Sequence, residues 1–221
     1  MIRARTLLLV DGASDVPLGA HAATLARDHG VALDVVAPPF ERMDPHPGHT
    51  VAGRLRRILE IDPDFDAILV HRDAEAQSLG ERDGEIHAAL TASRVALPRA
   101  SIVPVRMTEA WLLLDETAIR RVAGRPSGTA DLGLPHLHEI EVIADPKKML
   151  GDALLTASGA SGRRRRKLER DFGAHRRQLL EDLDPTGPVS SLPAWQALAR
   201  RVEQMATALR GGTASGESEI G

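Results

Sequence analysis

Short apolar runs alternate four times with stretches of helical period over residues 6–122, and no other feature restricts the fold of this chain as much. The first run is Thr6-Leu7-Leu8-Leu9-Val10, followed by apolar residues at helical spacing over 16–29 that close on Gly30. A glycine just past a helix end accepts the left-handed backbone that terminates it. Residues 31–37 are β-branched and stop at Pro38-Pro39; Thr50 then caps a helix to residue 61 with the apolar stripe Val51, Leu55, Ile58 and Leu59. The third run, Ala67-Ile68-Leu69-Val70, precedes a charged loop and a helix over about 84–93, and the fourth, 101–105, precedes a helix over 107–122. Strands separated by helices in this way pair in parallel and carry the helices on their faces. The expected class is therefore α/β, with a mainly parallel sheet and crossover helices on both faces.

Two of these runs end in acids. The first passes into Asp11-Gly12-Ala13-Ser14-Asp15, the third into His71-Arg72-Asp73-Ala74-Glu75. Ligands of open α/β sheets bind outside the carboxyl ends of the strands, so these residues are where chemistry is expected. Alternate residues of an extended segment point the same way, so His71, Asp73 and Glu75 are expected to converge on one ligand while Arg72 turns aside. Gly12 permits a tight turn, and Ser14 or Asp15 can cap the following helix.

Beyond Gly124 the pattern changes. Residues 126–138 read as a loop, 139–143 as one further short strand, and Asp145-Pro146-Lys147-Lys148 as the start of a helix. Ser158-Gly159-Ala160-Ser161-Gly162 is a flexible break before a charged helix over 163–183 and a second helix over 193–210. The expected division is an α/β domain over 1–157, a helical extension over 163–210 and a disordered tail over 211–221.

Composition narrows the chemistry. The absence of cysteine excludes disulfides, thiolate zinc sites and cysteine nucleophiles, so any metal is held by oxygen or imidazole. With no Tyr, two Trp and three Phe, stacking of several bases on aromatic platforms is not expected. Phosphate contacts would have to carry any binding of nucleic acid. No apolar run reaches membrane-spanning length and no signal-peptide cleavage pattern follows the first residues, so a soluble, cytoplasmic protein is expected.

The net charge of −3 hides one basic run, Arg163-Arg164-Arg165-Arg166-Lys167. Five cations near a helix start oppose the helix dipole, so local stability does not account for them, whereas binding of a polyanion does. The competing expectation is a salt-laced face in which Glu169, Asp171, Glu181 and Asp182 pair with the arginines one turn away.

The order of the acidic motifs resembles the TOPRIM fold of topoisomerases, primases and OLD-type nucleases. In that family a Glu-Gly follows the first strand and an Asp-x-Asp pair the third; here Asp11-Gly12 matches the former with Asp for Glu, and His71-Arg72-Asp73 the latter with His for the first Asp. The segment Glu109-Ala110-Trp111-Leu112-Leu113-Leu114-Asp115 and the element Asp145-Pro146-Lys147-Lys148 are similar to motifs of uncharacterised bacterial TOPRIM-like proteins. The likeness covers about residues 6–150.

What the resemblance implies is a metal-dependent phosphodiester hydrolase, a nuclease acting on DNA or RNA in a phage-defence or mobile-element setting. Asp11, Asp73 and Glu109 would hold Mg2+ or Mn2+, Glu75 would serve a second ion, and His71 would suit a softer ion or carry a proton. Lys147, Lys148, Arg163, Arg164, Arg165, Arg166 and Lys167 would meet phosphates. The chain carries no ATPase motif, so a separate ATPase is a possible protein partner. The rival expectations are a non-catalytic TOPRIM-like module that binds nucleic acid or a partner protein, and a small-molecule phosphotransferase or phosphatase built on the same carboxylates.

Overall fold

The structure, a computed structural model, describes residues 1–216, with side chains described through residue 212. These residues gather into two compact units. The first contains Met1–Arg72, Gly80–Val103 and the chain from Gln196 onward; the second contains Asp73–Leu79 and Pro104–Trp195.

The first unit is built on a four-stranded, wholly parallel sheet in the order β2-β1-β3-β4. Its strands are β1 (Ile2–Leu9), β2 (Val31–Val36), β3 (Ala67–His71) and β4 (Arg99–Ile102). Leu8 of β1 lies opposite Leu69 of β3, and Val70 of β3 opposite Ser101 of β4. Leu7, Leu8, Leu69 and Val70 are all fully buried, and β3 is buried along its whole length. A parallel strand covered on both faces reads as a continuous apolar run, which is why β1 and β3 stand out in the sequence. Each such leucine contributes about 1.5–3 kcal/mol by leaving water.

Three helices join these strands: α1 (Leu18–Asp28), α2 (Val51–Ile61) and α3 (Leu79–Ala92). Helix α1 packs closely enough that a β-carbon on Gly19 would stand 2.7 Å from Val35 Cγ1 and 2.9 Å from Leu8 Cδ2. Gly30, at φ 78°, ends it as expected. Thr50 caps α2 by accepting from the Gly53 amide, also as expected. The amino end of β3 is tied to β1 by Asp66, whose carboxylate accepts from the Arg5 amide at 2.7 Å and whose own amide donates to Arg5 O at 2.8 Å. The parallel α/β class is thus the one the chain adopts.

The second unit is helical, with no strand among its described residues. It holds α4 (Glu109–Leu112), α5 (Glu116–Val122), α6 (Pro146–Ser158), α7 (Gly162–Arg170) and α8 (Phe172–Glu181). Trp111 and Trp195, both buried, meet edge to face at 5.1 Å in its core. The final helix, α9 (Pro193–Gly216), starts in this unit and continues in the first. No helix among the described residues is long and apolar enough to cross a membrane.

Several boundaries depart from expectation for local reasons. The single helix expected over 107–122 is broken because Asp115 turns back to accept from the Ala118 amide at 2.8 Å and so starts α5 afresh. The strand expected over 139–143 is instead a 3-10 helix, Leu137–Val142, opened by a reciprocal cap between His136 and Glu139. The helix expected over 163–183 divides at Asp171 into α7 and α8. Helix α3 begins earlier than expected, at Leu79, and holds Gly84 within it. Of the tail expected to be disordered, residues 211–216 continue α9 and 217–221 lie outside the described residues.

Candidate functional site

In the sheet order β2-β1-β3-β4 the chain leaves β1 for one neighbour and returns to the other, so the topological switch lies between the carboxyl ends of β1 and β3. Ligands of open α/β sheets settle at such a switch. Asp11 follows β1 there, with its side chain 44% exposed. Its Oδ1 accepts from two guanidiniums, Arg54 Nη1 at 3.2 Å and Arg72 Nη1 at 3.3 Å.

Arg54 reaches this point from α2. It is almost fully buried, yet its donors are well used: Nη1 donates to Val10 O at 2.5 Å, Nε donates to Gly48 O at 3.2 Å, and the guanidinium plane lies 5.0 Å over the Phe40 ring. Its Nη2 is 3.4 Å from His49 Nδ1. Arg72 is more open and also donates to His49 O at 3.0 Å. Two guanidiniums therefore share one carboxylate. The arrangement leaves positive charge at the switch point, and Arg54, locked by carbonyls and packing, cannot turn away from it.

Arg72 was expected to turn aside from a ligand gathered by His71, Asp73 and Glu75. It does point elsewhere, and its target is Asp11. His71 faces inward, buried, with Nδ1 3.9 Å from Oδ2 of the buried Asp15. Asp15 is thus a core partner of an imidazole, and α1 begins without a side-chain cap. β3 ends at His71, and Glu75 takes a left-handed backbone at φ 55°, so strand alternation does not carry through to Glu75.

Asp73, Glu75 and Glu109 belong to the second unit. Asp73 Oδ1 accepts from the Thr108 amide at 2.9 Å and from Thr108 Oγ1 at 3.1 Å, which satisfies an amide at the start of α4. Glu109 is buried, and its Oε1 accepts from Arg176 Nε of α8 at 2.8 Å, with both side chains under a tenth exposed. Glu75 is exposed. Among the described residues no group of three or more His, Asp or Glu side chains is placed to hold a metal ion.

The basic residues divide by partner. Lys147 and Lys148 are exposed in the first turn of α6; Lys148 Nζ lies 2.7 Å from Asp152 Oδ2, and that bond holds its ammonium above the ordinary lysine range. On α7 all five expected cations are exposed. Arg165 pairs with Glu169 at 2.9 Å, whereas Arg163, Arg164, Arg166 and Lys167 form no ion pair among the described residues. Of the four acids expected to neutralise the run only Glu169 does so among the described residues; Asp171 lies by Arg170, Glu181 by Arg177 and Asp182 by Arg121.

Sequence reasoning missed Arg54, and it read Arg176 as part of an exposed positive surface where the side chain is buried on Glu109. Each carried one signal: a charge at a position of its helix's apolar stripe, Arg54 four residues before Ile58 and Arg176 three and four before Leu179 and Leu180. A cation at such a position is buried, and a buried cation needs a partner. No family model, curated protein or solved structure matches the chain.

Proposed function

We propose that this chain is a TOPRIM-like module that binds nucleic acid through its phosphates. The observation that supports this reading above the others is Asp11 between Arg54 and Arg72: the acid at the sheet's switch point is already bonded to two guanidiniums. An arginine fork suits phosphate oxygens, and the carboxylate orients Arg72 for that contact. The unpaired cations of α7 supply a second positive patch, on a helix whose own dipole they oppose.

The metal-dependent hydrolase is the second reading, supported by one feature. The Asp11 carboxylate, 44% exposed, has room for Mg2+ or Mn2+ as well as for its arginines. Against it stands Glu109, a buried carboxylate whose charge is already matched by a buried arginine.

The test is binding and cleavage of labelled single- and double-stranded DNA and RNA with Mg2+, Mn2+ or a chelator. Binding that weakens steeply with salt, without cutting, is expected. Metal-dependent cutting by the wild-type chain would transfer the conclusion to the hydrolase, and absence of binding at low salt would end both readings for nucleic acid.

A further inference from the structure

Beside the switch point, and wholly within the first unit, lies a cleft of about 340 Å³. Its charged lining is Arg72, Arg82 and Glu85, with His49 beside them, and its apolar lining includes Ala52 of α2 and Ile86 and Ala89 of α3. From these features we infer that the cleft, which shares Arg72 with the switch-point site, binds a terminal phosphate monoester, with the sugar or base that carries it lying on the apolar lining. The inference rests on the phosphate-binding reading above and names the group that the site selects.

Three considerations set the ligand class. The volume falls at the low end of small-ligand cavities, enough for one nucleotide and too little for a duplex. The charged lining includes Arg72, whose one carboxylate partner among the described residues, Asp11, is shared with Arg54, so the pair of guanidiniums is incompletely neutralised. A monoester carries about −1.5 to −2 charge where an internal diester carries a single charge, and so gains more from that pair. The cleft also abuts the first turn of α2, whose early amides have no acceptor within the helix and whose dipole adds about half a positive charge. Arg82 and Glu85 of the same lining pair with each other at 2.7 Å, so the unmatched positive charge is that of the Arg54–Arg72 pair.

Apolar lining beside a cation distinguishes this place from the α7 patch. Arg163, Arg164, Arg166 and Lys167 stand exposed on a helix surface and can track a backbone in any register. The cleft can hold only a chain end or a free nucleotide. These two sources share one chemistry and are separated by the probes below.

The experiment measures affinity for one short single-stranded oligonucleotide, as DNA and as RNA, with a 5′ phosphate, a 3′ phosphate or neither, and for a free nucleoside monophosphate. Wild type is compared with Ala89→Trp, which fills the cleft from α3, and Ala52→Leu, which fills it from α2; neither residue belongs to the arginine site. The expected result is about tenfold tighter binding of one phosphorylated end than of the unphosphorylated strand in wild type. In each variant with intact circular dichroism, that preference should fall to within about twofold while the unphosphorylated strand binds as before. If no oligonucleotide binds but the monophosphate binds wild type and not the filled variants, the cleft is a free-nucleotide site and the nucleic-acid reading fails. The inference is overturned if wild type neither prefers a phosphorylated end nor binds the monophosphate, or if both filled variants keep the preference.

Discussion

Two carboxylate-arginine pairs of this chain have the same chemistry and opposite settings. At the sheet's switch point Asp11, 44% exposed, meets Arg54 and Arg72; in the helical unit Glu109, 6% exposed, meets the buried Arg176. The sealed pair is shut off from water, and its acid is matched by a buried base. The open pair has two bases for one acid and a face toward water. Burial decides which carboxylate is structure and which is site, and the resemblance of both to metal-binding motifs does not separate them.

The sealed pair gives the largest expected effect. Arg176→Ala leaves a buried carboxylate without its cation and should cost about 3–5 kcal/mol in chemical denaturation. Replacing both partners, Glu109→Leu with Arg176→Met, should recover most of that loss, since well-packed apolar substitutes for a buried pair are often neutral or better. If Glu109 served a metal instead, Glu109→Gln would abolish metal-dependent activity while leaving stability nearly unchanged.

Breaking the open pair should alter binding more than stability. Arg72→Gln is expected to cost about 1 kcal/mol or less, because its partner stays partly hydrated, and to weaken binding of single-stranded nucleic acid at low salt. Loss of stability comparable to that of Arg176→Ala would show that the switch point is as sealed as the helical pair.

The α7 patch sharpens the comparison with cations that have no acid at all. Changing Arg163, Arg164, Arg166 and Lys167 together to Gln should leave the thermal midpoint unchanged and flatten the dependence of log affinity on log salt. Each lost phosphate contact to a single strand removes about 0.7 from that slope. An unchanged slope would place these residues outside the binding surface.

Glu141 offers the smallest effect, an acid without a cation. Burial pushes its carboxyl above the ordinary range, while the bond from the Ala194 amide at 3.0 Å pulls in the opposite direction and is the lesser cause. A folded-state pKa above the unfolded value means that its contribution is full below the unfolded value and is lost as pH rises through the folded one. Glu141→Gln should remove that small decline in thermal midpoint. Asp62 shows the reverse, since the Arg5 bond holds its carboxyl below the ordinary range, and its contribution is lost as pH falls.

Much of the sheet was legible because parallel strands buried on both faces leave uninterrupted apolar runs, as 67–70 does, and because Gly30 and Thr50 mark helix ends by rules that act within a few residues. The acid after β1 was legible for the same reason. Its partners were not: Arg54 is 43 residues away, and only the folded sheet brings α2 over that strand end. Glu109 read as a ligand because its partner, Arg176, is 67 residues away on a helix whose apolar stripe it interrupts. Breaks at Asp115 and Asp171 were missed because apolar spacing continues across them while the backbone does not.

The most direct test of the central claim compares Asp11→Asn with wild type for both affinity and cleavage of single-stranded DNA and RNA, with and without Mg2+ or Mn2+. If Asp11 orients an anion-binding arginine pair, removing its charge relieves repulsion of roughly 0.7 kcal/mol at about 6 Å in water, so the variant should bind about threefold tighter at low salt. Neither protein should cut. Metal-dependent cleavage by wild type that disappears in Asp11→Asn, or weaker binding by a folded Asp11→Asn, would contradict the account.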